Sequence, residues 1–133
     1  MDAKELGQIS LFSDLSEDDL NALATYVDEV TVSEGKHLVD EGGYAYDLFV
    51  ISEGTAQVIV NGEVVAELGP GDFFGEAGVL EKQQRNATVV AKTRMRLVTL
   101  TGWDLRRMRR QLGPVMDKLE RAIEQRRQPV TES

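Results

Sequence analysis

Cysteine is absent from this 133-residue chain, which excludes a disulfide framework, a thiolate metal site and a cysteine nucleophile. Histidine occurs once, at His37, too few for a metal centre built from several imidazoles. No apolar run approaches the roughly 18 residues of a membrane-spanning helix, and Met1-Asp2-Ala3-Lys4-Glu5 lacks the basic flank and apolar stretch of a signal peptide. A soluble, cytoplasmic protein without a membrane partner is therefore expected. Positive charge is scarce as well: the net charge of −8 argues against a general nucleic-acid binder. What positive charge there is gathers near the end. From Trp103 to Gln128 there are eight basic and four acidic residues (+4), so the rest of the chain carries −12. A solvated helical face is the plain reading of that segment, and a partner-binding stripe the alternative.

An apolar content of 41% suffices for one core, so a single domain over 1–133 is expected, its core running from about 11 to 127 with 128–133 as a frayed tail. Leu15-Ser16-Glu17-Asp18-Asp19-Leu20 reads as a helix start, with Ser16 as cap, Asp19 as a short capping-box acid and Leu15 with Leu20 as a staple. Leu20, Leu23, Ala24 and Val27 continue one apolar stripe suited to packing on a sheet. From Val30 to Leu100 the pattern changes to short β-branched runs punctuated by glycine turns, as in an all-β sandwich or barrel. Asn61-Gly62 between Gln57–Val60 and Glu63–Ala66 predicts a two-residue type I′ hairpin, Leu48–Ile51 a buried strand, and 94–100 a last one. Thr101 caps a helix holding Trp103, Leu105, Met108 and Leu112, Gly113-Pro114 breaks it, and a second helix carries Val115, Met116, Leu119, Ala122 and Ile123.

Inside the β region sits Phe73-Phe74-Gly75-Glu76-Ala77-Gly78-Val79-Leu80, followed by Arg85-Asn86-Ala87-Thr88-Val89. These are parts for holding a phosphorylated sugar. Glycine admits close backbone approach, a short helix beginning at Glu76 aims free N–H groups at an anion, and Arg85 offers a guanidinium fork. The spacing resembles the phosphate-binding cassette of cyclic nucleotide-binding domains, whose pattern reads Phe-Gly-Glu, small or apolar residues, a variable stretch, Arg, a small or polar residue, Ala, Thr or Ser, Val. The order of helix, strands with an insertion, and two helices is similar to that whole domain over about residues 11 to 127. Supporting signatures are Leu11-Phe12, the Gly42 and Gly54 turns, and Gly71-Asp72-Phe73-Phe74-Gly75-Glu76.

The resemblance implies a mainly β fold, a jelly-roll-like β-roll with an inserted cassette helix and flanking N- and C-terminal helices. It implies a cyclic nucleotide ligand, cAMP first and cGMP second, held by Phe74, Gly75, Glu76, Ala77, Gly78, Arg85, Asn86 and Ala87. Arg85 would pair with the phosphate, Gly75 would contribute backbone, and Glu76 would accept the ribose 2′-hydroxyl, the alternative being an acid that only complements a helix dipole. Ala77 and Gly78 replace the family's more usual large apolar residue and alanine, and Gln84 stands where many members have proline. Asn86 replaces Ala, Ser or Thr; as donor and acceptor it suits a phosphate or a guanine amine, so the base stays open. Trp103, Tyr44 or Tyr46 could stack on a base, although packing is the more ordinary job of an aromatic at a helix start. His37 is expected at the surface or in a turn.

A ligand-sensing module is thus the first functional expectation, its C-terminal stripe from Met108 to Ile123 serving as lid, as homodimer or effector contact, or as plain core. Only about ten residues follow Ile123, so no helix-turn-helix and no sequence-specific DNA binding is expected. A barrel that lost nucleotide affinity and became a protein-interaction domain is the alternative, disfavoured by Gly75, Glu76 and Arg85 together. A cupin-type enzyme lacks metal ligands, and no nucleophile stands beside a base, so neither catalysis nor a cofactor is expected.

Overall fold

Two strands of this chain are apolar on both faces, and they set its layering. The structure, a computed structural model, describes residues 1–40, 47–75 and 87–126. Strands are β1 (Asp28–Val32), β2 (His37–Val39), β3 (Leu48–Glu53), β4 (Ala56–Val60), β5 (Glu63–Leu68), β6 (Phe73–Phe74), β7 (Thr88–Ala91) and β8 (Met95–Leu100). Helices are α1 (Ala3–Gly7), α2 (Glu17–Ala24), α3 (Gly102–Gln111) and α4 (Gly113–Arg126), with a 3-10 turn at Ser10–Phe12. The first sheet runs β1-β8-β3-β6 and the second β2-β7-β4-β5, with every pairing antiparallel.

Because side chains alternate along a strand, β3 and β8 serve two cores. Phe49, Ile51, Met95 and Leu97 face the second sheet and meet Val58, Leu68, Val89 and Ala91 inside the roll. Leu48, Val50, Val98 and Leu100 face the other way, onto Leu6, Phe12, Leu23, Leu105, Met108 and Leu119 of the helices. The first sheet is therefore the middle of three layers, which is why Leu48–Ile51 reads as an unbroken apolar run.

Local chemistry fixes the ends of these elements as the sequence predicts. Ser16 Oγ accepts the Asp19 N–H at 3.1 Å, capping α2. Thr101 and Asp104 form a reciprocal capping box on α3: Thr101 Oγ1 accepts the Asp104 N–H at 3.0 Å and Asp104 Oδ2 accepts the Thr101 N–H at 3.4 Å. Leu112 leaves the helical region at φ −136°, ψ 50°, separating α3 from α4. Asn61 and Gly62 take φ of 52° and 83°, the two positive values a type I′ turn needs, and Val60 pairs with Glu63. His37 lies on β2, exposed, with Nδ1 2.9 Å from Asp40 Oδ1. The buried Leu6 and Ile9 extend the helix-side core upstream of Leu11.

Candidate nucleotide-binding site

The chain leaves the first sheet at β6 and enters the second at β7, so the connection between them bridges the two sheets of the roll. That connection carries Glu76, Ala77, Gly78, Arg85 and Asn86. These five residues and the expected cassette helix lie outside the described residues, as do Gly42, Tyr44 and Tyr46. The frame on either side is described, and it accounts for Phe74, Gly75 and Ala87.

On the upstream side, Phe74 pairs with Phe49 in the ladder and stacks on its ring, centroids 4.9 Å apart and planes 10° from parallel. Its ring is buried in the roll interior, so Phe74 acts as a floor under the site's first residue. Gly75 then takes φ +90°, a conformation open to glycine and costly for other residues. Downstream, Ala87 and Val89 are buried in the same interior cluster, and Val89 pairs with Val58. Thr88 opens β7 half-exposed. Thr88 and Val89 thus open a strand whose inner side chain, Val89, is part of the roll interior.

Asp72 stood out in the sequence only as part of a signature and with no role of its own, yet it anchors the approach to Gly75. Its Oδ2 accepts the Gly69 N–H at 2.8 Å, its own N–H donates to Gly69 O at 3.0 Å, and its carbonyl accepts the Ile51 N–H at 2.8 Å. The Gly71 N–H donates to Ile51 O at 2.8 Å. Two hydrogen bonds thus close this turn and two tie it to Ile51 on β3, so β6 starts from a fixed point. The sequence signal was Gly69-Pro70-Gly71-Asp72, a glycine-proline turn whose last residue closes it with a carboxylate.

The C-terminal helices resolve two expectations. Leu105, Met108, Val115, Met116, Leu119 and Ile123 are buried, with Leu112 partly so, in the core beneath the first sheet. That stripe is core, covered by its own chain. Trp103 departs from the packing expected of it: it is 62% exposed, and the Arg106 guanidinium lies over its ring, with Cζ 5.8 Å from the centroid. Leu105 and Met108 define the buried face of α3, and Trp103 falls on the opposite one.

Charge on the frame is concentrated at Arg96, which reaches Glu29 at 2.9 Å on β1 and Glu53 at 3.0 Å on β3. The hydrogen bonds it donates to Glu29, then to Glu53, raise its already high pKa. These contacts tie β8 to the two strands beside it. Among the described residues no cluster of three metal-ligating side chains occurs, and no helix is long and apolar enough to cross a membrane.

A β-roll flanked by helices, with a Gly-Glu…Arg connection bridging its sheets, defines a class of ligand-binding regulatory modules. Residues 29–111 match the cyclic nucleotide-binding domain family, and the chain belongs to that family. It is 38% identical over 117 residues to a cAMP-dependent protein kinase regulatory subunit of Yarrowia lipolytica, covering 86% of this chain and 30% of that protein. With the corresponding subunit of Schizosaccharomyces pombe it shares 33% over 113 residues, 84% of this chain and 27% of that one. The chain therefore spans less than a third of the curated relatives it matches.

Among solved structures, a cyclic nucleotide-binding domain from Methylobacillus flagellatus has the same fold, with TM-score 0.82 at 23% identity over 92% of this chain and 72% of that one. A regulatory subunit of a cAMP-independent protein kinase A from Trypanosoma brucei superposes with TM-score 0.78 at 30% identity, over 97% of this chain and 46% of that one. The expected mainly β roll with flanking helices is the observed fold. These relatives are non-catalytic ligand-binding modules, and the expectation that the chain is not an enzyme agrees with them.

Proposed function

We propose that this chain is a cAMP-sensing regulatory module of the cytoplasm: the segment from Gly75 to Ala87 holds the nucleotide, and α3 and α4 carry the event to an effector or a second copy. The observation that carries this reading is the position of Gly75, Glu76 and Arg85 inside the family match, with Gly75 leaving β6 and Glu76 and Arg85 on the connection from β6 to β7. Arg85 supplies a guanidinium to the cyclic phosphate, Glu76 accepts the ribose 2′-hydroxyl, Ala77 and Gly78 leave their N–H groups accessible, and Asn86 reaches the phosphate or the base. Preference for cAMP over cGMP follows the two curated relatives, both cAMP-dependent regulatory subunits. The Trypanosoma relative is cAMP-independent, whereas a triple mutant of it is bound to cAMP in its A site.

Transmission has a short route. β6, which leads into Gly75, pairs with β3, and the reverse face of β3 carries Leu48 and Val50 into the core that α3 and α4 share. A ligand that binds one arrangement of these layers better than another shifts the helices by that difference in affinity. Calorimetry with cAMP and cGMP on the chain and on Arg85→Ala tests the proposal. Saturable cAMP binding, weakened about a hundredfold by Arg85→Ala, is expected for loss of a charge-assisted phosphate contact. Binding that ignores the substitution defeats the assignment of Arg85. Failure to bind either nucleotide points to a protein-interaction domain.

A further inference from the structure

The exposed side of α3 carries a surface that the nucleotide site does not use. Trp103, Arg106 and Arg110 stand at i, i+3 and i+7, within one narrow arc of the helix and opposite the buried Leu105 and Met108. All three are exposed. The neighbouring cations are engaged elsewhere: Arg109 pairs with Asp117 and Glu120, and Arg107 lies over the Tyr26 ring at 5.3 Å and 3.8 Å from Asp104. Arg106 lies over the Trp103 ring, and among the described residues neither Arg106 nor Arg110 has an ion pair.

We infer that this stripe docks a short acidic segment of a partner protein. Free guanidiniums pair in fork geometry with carboxylates, and a large exposed indole beside them supplies the apolar anchor that tryptophan and arginine typically give an interface. Charge complementarity selects the occupant. The chain as a whole carries −8, so an extended polyanion such as a nucleic acid or an anionic bilayer meets repulsion beyond the stripe. From Trp103 to Arg110 the stripe is about 10 Å long at the helical rise, the span of about three extended residues. A peptide carrying two or three carboxylates around one apolar side chain fits that length and sign.

Trp103 is the chain's one tryptophan, so its fluorescence reports this surface directly. The test titrates the full chain, without nucleotide and at low ionic strength, with a blocked hexapeptide Gly-Glu-Leu-Glu-Glu-Gly, three carboxylates around one leucine. Its lysine counterpart, phosphatidylserine-containing vesicles and a random-sequence DNA duplex serve as comparisons. Expected are a saturable blue shift with the acidic peptide alone, weakening with added salt, and about tenfold weaker binding in Arg106→Gln/Arg110→Gln. Arg121→Gln, an exposed cation on α4, should leave binding unchanged. No saturable shift, an equal response to the lysine peptide, vesicles or duplex, or equal weakening by Arg121→Gln would overturn the inference. Calorimetry with the same peptide repeats the test independently of the indole, and circular dichroism confirms that both variants fold.

Discussion

Lys118 on α4 donates to Asp19 Oδ2 on α2 at 2.8 Å, joining helices from opposite ends of the chain. The Tyr26 hydroxyl donates to Gln111 Oε1 alongside, and Arg107 covers the Tyr26 ring. α2 and the Tyr26 that follows it thus clasp the helix pair after the roll. The Lys118 hydrogen bond, with smaller help from its charge and from Ser16, lowers the Asp19 pKa from the usual 3.8, against a partial opposing effect of burial.

A depressed folded-state pKa stabilises the protein above the unfolded value, and that contribution is lost as pH falls through the folded one. Lys118→Met should therefore cost about 0.5 kcal/mol at neutral pH, since Lys118 is 46% exposed and its ion pair is solvent-screened. The difference from wild type should shrink below about pH 3.8 and vanish once Asp19 is protonated. Urea titrations across that range measure this. A cost that persists at low pH would assign it to packing of the lysine stem.

Gly54→Ala should be far more damaging than its size suggests. Gly54 has φ +91°, and a Cβ there would lie 2.4 Å from the Arg94 carbonyl oxygen and 2.9 Å from Met95 Cγ. Backbone on one side and a fully buried side chain on the other leave little room to yield, so a loss of about 2 to 4 kcal/mol is expected. Gly35→Ala makes the comparison informative: Gly35 has φ +89° but nothing within 4 Å, so it should lose only the conformational part, about 1 kcal/mol. Equal losses in chemical denaturation would show that the clash at Gly54 is relieved.

The Phe49–Phe74 stack separates stability from ligand affinity. Phe74→Ala should cost about 3 to 5 kcal/mol, the usual range for emptying a buried aromatic site. Milder variants give the sharper test. Phe49→Leu and Phe74→Leu remove the same stacking contact, but only Phe74 abuts Gly75. Comparable losses of stability with weaker cAMP binding in Phe74→Leu alone are expected. Equal affinity losses would mean that the roll interior as a whole positions the site.

Much of this fold is legible in the sequence because its signals are local. Asn61-Gly62 dictates its hairpin, Ser16 and Thr101 state their caps, and the apolar run at Leu48–Ile51 announces a strand covered on both faces. Which sheet each strand joins is set by pairings such as Val32 with Met95 or Ala56 with Ala91, and these have no local signature. Leu6 escaped notice because a five-residue helix offers too little periodicity to show a buried face. Trp103 is the opposite case: the positions of Leu105 and Met108 already placed it outside, but its size suggested packing. Within the site, Gly75 and Ala87 stood out as members of a motif. The anchoring of that motif by Asp72 depends on β3, distant in sequence.

Glu76 provides the most selective check on the nucleotide reading, because its proposed partner can be removed from the ligand without disturbing the protein. A carboxylate facing a ribose accepts the 2′-hydroxyl proton, whereas an amide in its place can turn either an oxygen or a donating nitrogen toward it. Glu76→Gln should weaken cAMP by about tenfold, near the value of one hydrogen bond to a charged group, and leave 2′-deoxy-cAMP almost unchanged. Calorimetry with both nucleotides on both proteins closes a thermodynamic cycle whose coupling term isolates that contact. A full-sized coupling supports a ribose-facing carboxylate. Equal weakening of both ligands would mean that Glu76 acts at the start of the cassette helix, complementing its dipole and shaping the loop, with the sugar recognised by other groups.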